Sequence, residues 1–198
     1  VPNEYGALGH YRYAAKTGTL NATLAAGANV FAFRWGDTNL AIIQRLRVRV
    51  QANVAFTAAA ANLSFAAYIG RAYTASHTGG TAATSSGNNL KKRTSFPTSK
   101  INTNGDIRIA ATASLGGGTV TVDTHPFAYG GPGRMNFVNA AAGTEHIFTR
   151  DHGQEIVYES DMANGECPIV LAQNEGILVQ NVVVWPAAGT AEASVEID

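Results

Sequence analysis

The sequence has a single cysteine, few charged residues and no long apolar run. Cys167 alone cannot form an internal disulfide or provide a multi-cysteine zinc or iron–sulfur site. No apolar run approaches the roughly 18–20 residues of a membrane-spanning helix, so a membrane is not expected as a partner. Charged residues make up 14% of the chain, compared with roughly 25% in an average soluble domain. A surface so poor in charge is typical of proteins that pack against other proteins.

The motifs of catalytic and cofactor sites are also missing. The five histidines form no HxH or HExxH pair, and no GxSxG sequence provides a nucleophile. The glycine-rich stretches 116–118 and 130–133 lack the spacing of phosphate-binding loops. We therefore predict no enzyme activity, no catalytic residue, no metal and no cofactor, with Cys167 as a buried structural thiol. Whether His146, Asp151 and His152 bind a metal is left open by the sequence.

The charges that are present divide the chain into two halves. Residues 1–108 contain 12 Lys/Arg and 3 Asp/Glu, a balance of +9, whereas residues 109–198 contain 2 and 11, a balance of −9. One interpretation is that the halves neutralise each other within one fold. The other is that complementary patches guide subunits together or onto an acidic partner. A nucleic acid is not expected as a partner, because no binding motif is present and the pI is about 7.1.

Alternation of apolar and polar residues is the strongest structural pattern. Between residues 40 and 54, even-numbered positions are mostly apolar and three arginines occupy odd-numbered positions. A period of two over this length predicts one antiparallel strand with its apolar side towards the core. The residues predicted to face the core are Leu40, Ile42, Leu46, Val48, Val50, Ala52 and Val54, and those on the opposite face are Arg45, Arg47 and Arg49.

Shorter apolar or alternating stretches predict further strands, separated by loops rich in Gly, Asn and Thr. They lie at residues 28–35, 65–73, 107–111, 120–122, 155–159, 177–185 and 191–197. Helical periodicity is weak, and its two candidates are Ala55–Asn62 and Leu20–Asn29. This pattern predicts an all-β chain that forms one domain over residues 1–198, an antiparallel β-sandwich that is jelly-roll-like.

One long segment, Thr74–Asn104, is poor in large apolar residues. Loops longer than about 12–15 residues inside compact domains are usually functional or disordered. We predict a long inserted loop or arm that becomes ordered against a neighbour, and the alternative is a mobile surface loop with solvated charges. The residues expected to contact an acidic partner are Arg71, just before this segment, and the basic run Lys91, Lys92 and Arg93.

Aromatic residues crowd the first 35 positions of the chain. They are Tyr5, Tyr11, Tyr13, Phe31, Phe33 and Trp35. The last three share one face of a predicted strand, which favours packing in the core or in a subunit interface. The alternative is a platform that binds a sugar. Tyr11 and Tyr13 are therefore our aromatic candidates for binding a partner.

Several stretches resemble structural proteins of tailed bacteriophages. They are RAYTASHTGGT at 71–81, NNLKKRTS at 88–95 followed by DIRIA at 106–110, and IVLAQNEGI at 169–177 before an acidic alternating strand. The resemblance implies a β-rich protein on the capsid surface of the virion, either a decoration (cement) protein that binds the major capsid protein or a head-associated fibre base. It carries over no catalytic residue. The low charge and the crowded aromatic residues predict a homo-oligomer, with a trimer expected if the protein lies on local three-fold axes. The alternative function is a carbohydrate- or receptor-binding module of a head fibre or tail.

Overall fold

The computed structural model describes residues 9–21, 23–54, 64–129, 156–160 and 167–198. The strands are β1 (Tyr13–Lys16), β2 (Asn29–Trp35), β3 (Ala41–Ile43), β4 (Arg45–Val54), β5 (Phe65–Ala75), β6 (Thr81–Ala82), β7 (Asp106–Ile109), β8 (Thr119–Val122), β9 (Ala128–Tyr129), β10 (Ile156–Glu159), β11 (Ile169–Leu171), β12 (Glu175–Asn181) and β13 (Thr190–Ile197), and the helix is α1 (Ile101–Asn104). Within these residues no helix is long and apolar enough to cross a membrane. The predictions for Ala55–Asn62, His146, Asp151 and His152 lie outside them.

Two antiparallel sheets share one apolar core. The smaller has the strand order β1-β13-β4-β10, and the larger has the order β6-β7-β2-β12-β5-β8, with β9 also paired to β5. Tyr13 of the smaller sheet stacks on Phe31 of the larger, with ring centroids 6.4 Å apart. The all-β, antiparallel sandwich is therefore confirmed, whereas its jelly-roll connection stays a prediction. A separate two-stranded ribbon pairs β11 with β3.

Strand β12 lies in the middle of the larger sheet, between β2 and β5. Ile177, Leu178 and Val179 are fully buried, as expected for an apolar stretch that is covered on both faces. The strand ends at Asn181, earlier than predicted. The Asn181 side-chain amide donates hydrogen bonds to three backbone carbonyls, and its oxygen accepts one from the Trp185 indole at 2.9 Å. These bonds turn the chain out of the sheet.

The predicted strand over residues 40–54 is two strands that belong to different sheets. Its middle follows the prediction, since Leu46, Val48 and Val50 are at most 6% exposed. At its ends the prediction is wrong, because Leu40, Ile42 and Val54 are 59%, 51% and 52% exposed, while odd-numbered Ile43 is buried.

The reversed burial of Leu40, Ile42 and Ile43 has its cause at Gln44, which lies between β3 and β4. The Gln44 N–H donates to the carbonyl of Asp198, and its own carbonyl accepts from the N–H of Ser160, both at 2.9 Å. These bonds hold Gln44 outside either strand. Side chains in a strand alternate between its two faces, so one residue outside the strand reverses the alternation on either side of it. Before Gln44, the even-numbered Leu40 and Ile42 therefore face outward and the odd-numbered Ile43 faces inward.

The segment 74–104 is tied to its own domain along its length. It begins within β5, contributes β6, which pairs with β7, and ends in α1. Ile101 at the start of α1 is buried, and its N–H donates to the Ser99 hydroxyl at 3.2 Å. Between these points the chain forms an antiparallel bridge from Lys91 to Tyr11. The segment therefore forms part of one wall of a groove that also involves residues 9–13 and 40–44.

Candidate interaction site

A groove of about 450 Å³ opens between residues 9–13 and residues 40–44. We call it the β3 groove. Its floor is apolar, with Phe33 and Trp35 from β2, Ile107 from β7 and Ile101 from α1. The Trp35 indole N–H donates to the Asn39 carbonyl at 2.6 Å, which holds the turn that leads into β3. A largely apolar concavity of this size is typical of a binding site.

Two of the predicted partner-binding residues, Tyr11 and Tyr13, line the first wall, and Lys91 and Lys92 lie beside it. Residues 10–12 and 90–92 lie antiparallel: the Arg12 N–H donates to the Leu90 carbonyl at 2.8 Å and the Lys92 N–H to the His10 carbonyl at 3.0 Å. Lys91 bridges Tyr11, whose hydroxyl donates to the Pro97 carbonyl at 2.8 Å. The structure therefore brings Tyr11, Lys91 and Lys92 together near Tyr13, which is two residues after Tyr11 and is buried.

The second wall is the β3–β11 ribbon, which exposes apolar side chains. Ile42 lies opposite Val170, and these two residues and Leu40 are 51%, 46% and 59% exposed. Leu40 and Ile42 also line the β3 groove. In the described part of the chain, β3 pairs with β11 alone. No strand of the described chain is therefore paired to its other edge.

A carboxylate surrounded by cations lies at the rim of the groove. The Asp198 side chain is 4% exposed and accepts from Arg12 at 2.8 and 3.1 Å. It also contacts Arg45 at 2.5 Å and Lys92 at 2.9 Å. Burial opposes ionisation of the Asp198 carboxyl, yet the hydrogen bonds from Arg12 and Lys92 and the nearby positive charges lower its pKa to about 2. Asp198 is therefore ionised at neutral pH.

Positive charge exceeds negative charge at this rim. Two of the three cations around Asp198 also contact a second carboxylate, Glu196, which lies 2.8 Å from Arg45 and 3.4 Å from Arg12. Exposed Lys100 also lines the groove. The carboxylate of Asp37 interacts electrostatically with Lys100, so four cations and three carboxylates leave a local excess of one positive charge. An acidic ligand is therefore favoured at the rim.

The other two predicted partner-binding residues do not line the groove. Arg71 on β5 forms salt bridges with Asp123, at 3.3 Å, and with Glu175. The exposed Arg93 guanidinium lies 5.9 Å from the ring centroid of Phe96. Neither residue is brought next to Tyr11 or Tyr13 by the contacts of the described chain.

The charge division of the sequence is neutralised largely within the fold. Salt bridges join cations of the first half to carboxylates of the second, and Arg108–Asp106 is a pair within the first half. The pairs across the halves are Arg12–Glu196, Arg12–Asp198, Lys16–Glu192, Arg45–Glu196, Arg45–Asp198, Arg47–Glu159, Arg71–Asp123, Arg71–Glu175 and Lys92–Asp198. The first interpretation of the charge division, internal neutralisation, is supported by these pairs.

The aromatic strand β2 packs inward. Phe31, Phe33 and Trp35 are 0%, 4% and 8% exposed, so core packing is confirmed and the three rings form no open platform. Cys167, predicted to be buried, is exposed, because it precedes β11 instead of lying within a strand.

A buried histidine forms a polar network apart from the β3 groove. His77 is 4% exposed. Its Nε2 accepts from the Asn29 amide at 3.1 Å, its Nδ1 shares a hydrogen bond with the Tyr73 hydroxyl, and Gln180 donates to Asn29 at 3.0 Å. Burial lowers the pKa of His77, which favours its neutral form. A Cβ on Gly118 would lie 2.5 Å from the His77 ring, so the triple glycine serves close packing here.

Three residues that line the groove, Leu40, Ile42 and Asp198, were not predicted as binding residues from the sequence, nor was Val170, which lies opposite Ile42. No cluster of three or more potential metal-ligating side chains occurs among the residues that the structure describes. Comparison of the chain with models of protein families, with curated proteins and with solved structures gave no match. The function proposed below is therefore supported by the geometry of the β3 groove and by the sequence patterns.

Proposed function

We propose that this chain is a structural protein of a bacteriophage virion, a decoration protein that binds the capsid surface and stabilises the head. The observation that carries the binding role is the β3 groove, an apolar concavity with exposed Leu40 and Ile42 at its mouth. Exposed apolar side chains beside a concavity are typical of sites that contact other proteins. The resemblance of residues 71–81, 88–95 and 169–177 to phage structural proteins supports the virion as the setting.

The proposed mechanism is mechanical and involves no catalysis. Each copy contacts the major capsid protein through the β3 groove and contacts other copies in a homo-oligomer, for which a trimer is proposed. Binding several capsid sites at once raises the overall affinity far above that of one groove, because later contacts form at high effective concentration. Bridged capsid subunits then separate less readily.

A carbohydrate- or receptor-binding module of a head fibre or tail is the second function predicted from the sequence. Such a module needs an aromatic ring whose face is open to a sugar. Burial of Phe31, Phe33 and Trp35 removes three of the six aromatic rings from which such a platform could form. The geometry therefore favours a protein partner.

Quantitative mass spectrometry of purified phage particles tests the proposal. We expect the chain at a copy number that matches the sites of the capsid lattice. Particles that lack the chain should bind added protein until those sites are filled, and the filled particles should release DNA at a higher temperature. Absence of the chain from particles, or binding that never saturates, would contradict the proposal.

A further inference from the structure

We propose that the β3 groove binds an extended acidic segment of its protein partner as an added β-strand along the open edge of β3. This inference rests on the proposed function only for the identity of the partner, which we take to be the capsid protein. The chemistry of the segment is set by the groove: apolar side chains at alternate positions, and at least one carboxylate.

The open edge provides the backbone contacts. A strand edge presents unpaired N–H and C=O groups, and extended peptides bind such edges by adding a strand. Residues 40–43 line the groove without interruption, and β3 has β11 on its other side. Gln44 does not contribute to this edge, because its N–H and C=O already bond to Asp198 and Ser160. At about 3.3 Å per residue, three paired residues extend over about 10 Å. A short peptide segment therefore matches this edge.

The groove floor selects apolar side chains. In an added strand every second side chain points to the same face of the ribbon. The side chains on the groove side meet Phe33, Trp35 and Ile107, which line the cavity of about 450 Å³. Because this floor is apolar, valine or leucine at alternate positions fits it, whereas polar side chains would lose their hydration there.

The rim selects a carboxylate. The rim has one uncompensated positive charge, because four cations outnumber three carboxylates there. The cations are Arg12, Arg45, Lys92 and Lys100, and the carboxylates are Asp37, Glu196 and Asp198. Lys100 is exposed. A carboxylate on a solvent-facing position of the added strand can approach this rim without displacing Asp198.

A second copy of the chain is a poorer occupant than a separate segment. Asp123, Glu175 and Glu192 already form salt bridges within their own molecule. A stable protein–protein interface usually has roughly 20–30 residues on each side, whereas the exposed apolar patch consists of Leu40, Ile42 and Val170. A patch of this size fits the docking of a short peptide segment.

Synthetic peptides test the inference directly. The probe is a capped hexapeptide of three Val-Asp repeats, compared with three Val-Lys repeats and three Ser-Asp repeats. Binding is measured by titration calorimetry and by the fluorescence of Trp35, which lines the groove. We expect the Val-Asp peptide to bind at least tenfold more tightly than either control, and its affinity to fall as salt rises. No binding of the Val-Asp peptide at millimolar concentration would overturn the inference.

N-methylation distinguishes strand addition from simple insertion of side chains. Alternate amides of an extended peptide point to the same edge, so methylating the valine nitrogens blocks one edge and methylating the aspartate nitrogens blocks the other. We expect one isomer to lose at least tenfold in affinity relative to the other. Equal affinities for both isomers and the parent peptide would contradict strand addition.

Matched variants place the binding site and separate this inference from the proposed function. Ile42→Ser should weaken peptide binding at least tenfold, whereas Val184→Ser, at an equally exposed valine outside the groove, should not. Lys100→Gln should weaken binding a few-fold and flatten its salt dependence. Peptide binding without particle binding would support the inference and contradict the proposed function. Particle binding that Ile42→Ser leaves unchanged would contradict both strand addition and the β3 groove as the capsid contact, whereas the chain at the lattice copy number on particles would still support its place in the virion.

Discussion

Replacing Asp198 by Asn should destabilise the fold, because Asp198 is a buried carboxylate surrounded by Arg12, Arg45 and Lys92. Its pKa is lowered to about 2, compared with about 3.9 for a free Asp, and each pKa unit corresponds to about 1.4 kcal/mol. The ionised form therefore contributes about 2–3 kcal/mol to the free energy of unfolding at neutral pH. Removing one member of a fully buried ion pair costs about 3–5 kcal/mol. For Asp198→Asn we expect the smaller loss of about 2–3 kcal/mol, because the Arg12 side chain is 44% exposed.

The assay is thermal and urea unfolding of the parent and of Asp198→Asn. For a domain of this size, about 2–3 kcal/mol corresponds to a Tm decrease of roughly 5–10 °C. Asp123→Asn is the matched control, because its partner Arg71 is 51% exposed and such surface pairs contribute about 0–1 kcal/mol.

The pH dependence provides a second check on Asp198. Its pKa is lower in the folded state, so its stabilisation is complete above about pH 4 and is lost as the pH falls towards about 2. The stabilities of parent and variant should therefore converge over that interval. Equal Tm values at pH 7, or a difference that persists at pH 2, would refute the assigned role of Asp198.

Three further predictions concern the core, the buried histidine and assembly. Val48→Asp should lower the free energy of unfolding by about 3–5 kcal/mol, because Val48 is 2% exposed and the charge would be unpaired. Ile42→Asp should change it by only about 0.5 kcal/mol. Equal losses for the two variants in urea unfolding would contradict the break at Gln44. The parent should lose stability as pH falls below about 6.5, because the pKa of His77 is lower in the folded state than in the unfolded state. The stability of His77→Gln should decline less steeply over the same pH range. Identical stability profiles for parent and variant would contradict this role of His77. Light scattering of the purified chain should give three times its mass of 20.7 kDa, and a monomer at micromolar concentration would contradict a preformed trimer.

The sandwich could be predicted from local patterns because its strands carry them. The buried positions of β13 alternate from Ala191 to Ile197, and β12 is apolar on both faces. Burial of alternate side chains selects such patterns directly. The sequence also indicates a binding role for Tyr11, Lys91 and Lys92, three residues that the structure brings together at the first wall of the groove.

The β3 groove itself could not be predicted, because distant residues form it. The break at Gln44 depends on backbone bonds to Ser160 and Asp198, and nothing near residue 44 in the sequence indicates either bond. Without that break, Leu40 and Ile42 are assigned to the core and Ile43 to the surface. The cation cluster likewise combines Arg12, Arg45 and Lys92 with the last residue of the sequence, which composition alone cannot place.

Binding of matched variants to phage particles tests the central claim, that the β3 groove attaches this chain to the capsid. Particles lacking the chain are titrated with the parent, with Ile42→Ser and with Val184→Ser, and bound protein is quantified after sedimentation. We predict that the parent and Val184→Ser fill the lattice sites with equal affinity and that Ile42→Ser binds at least tenfold more weakly. Ile42→Ser binding that equals that of the parent would contradict the claim.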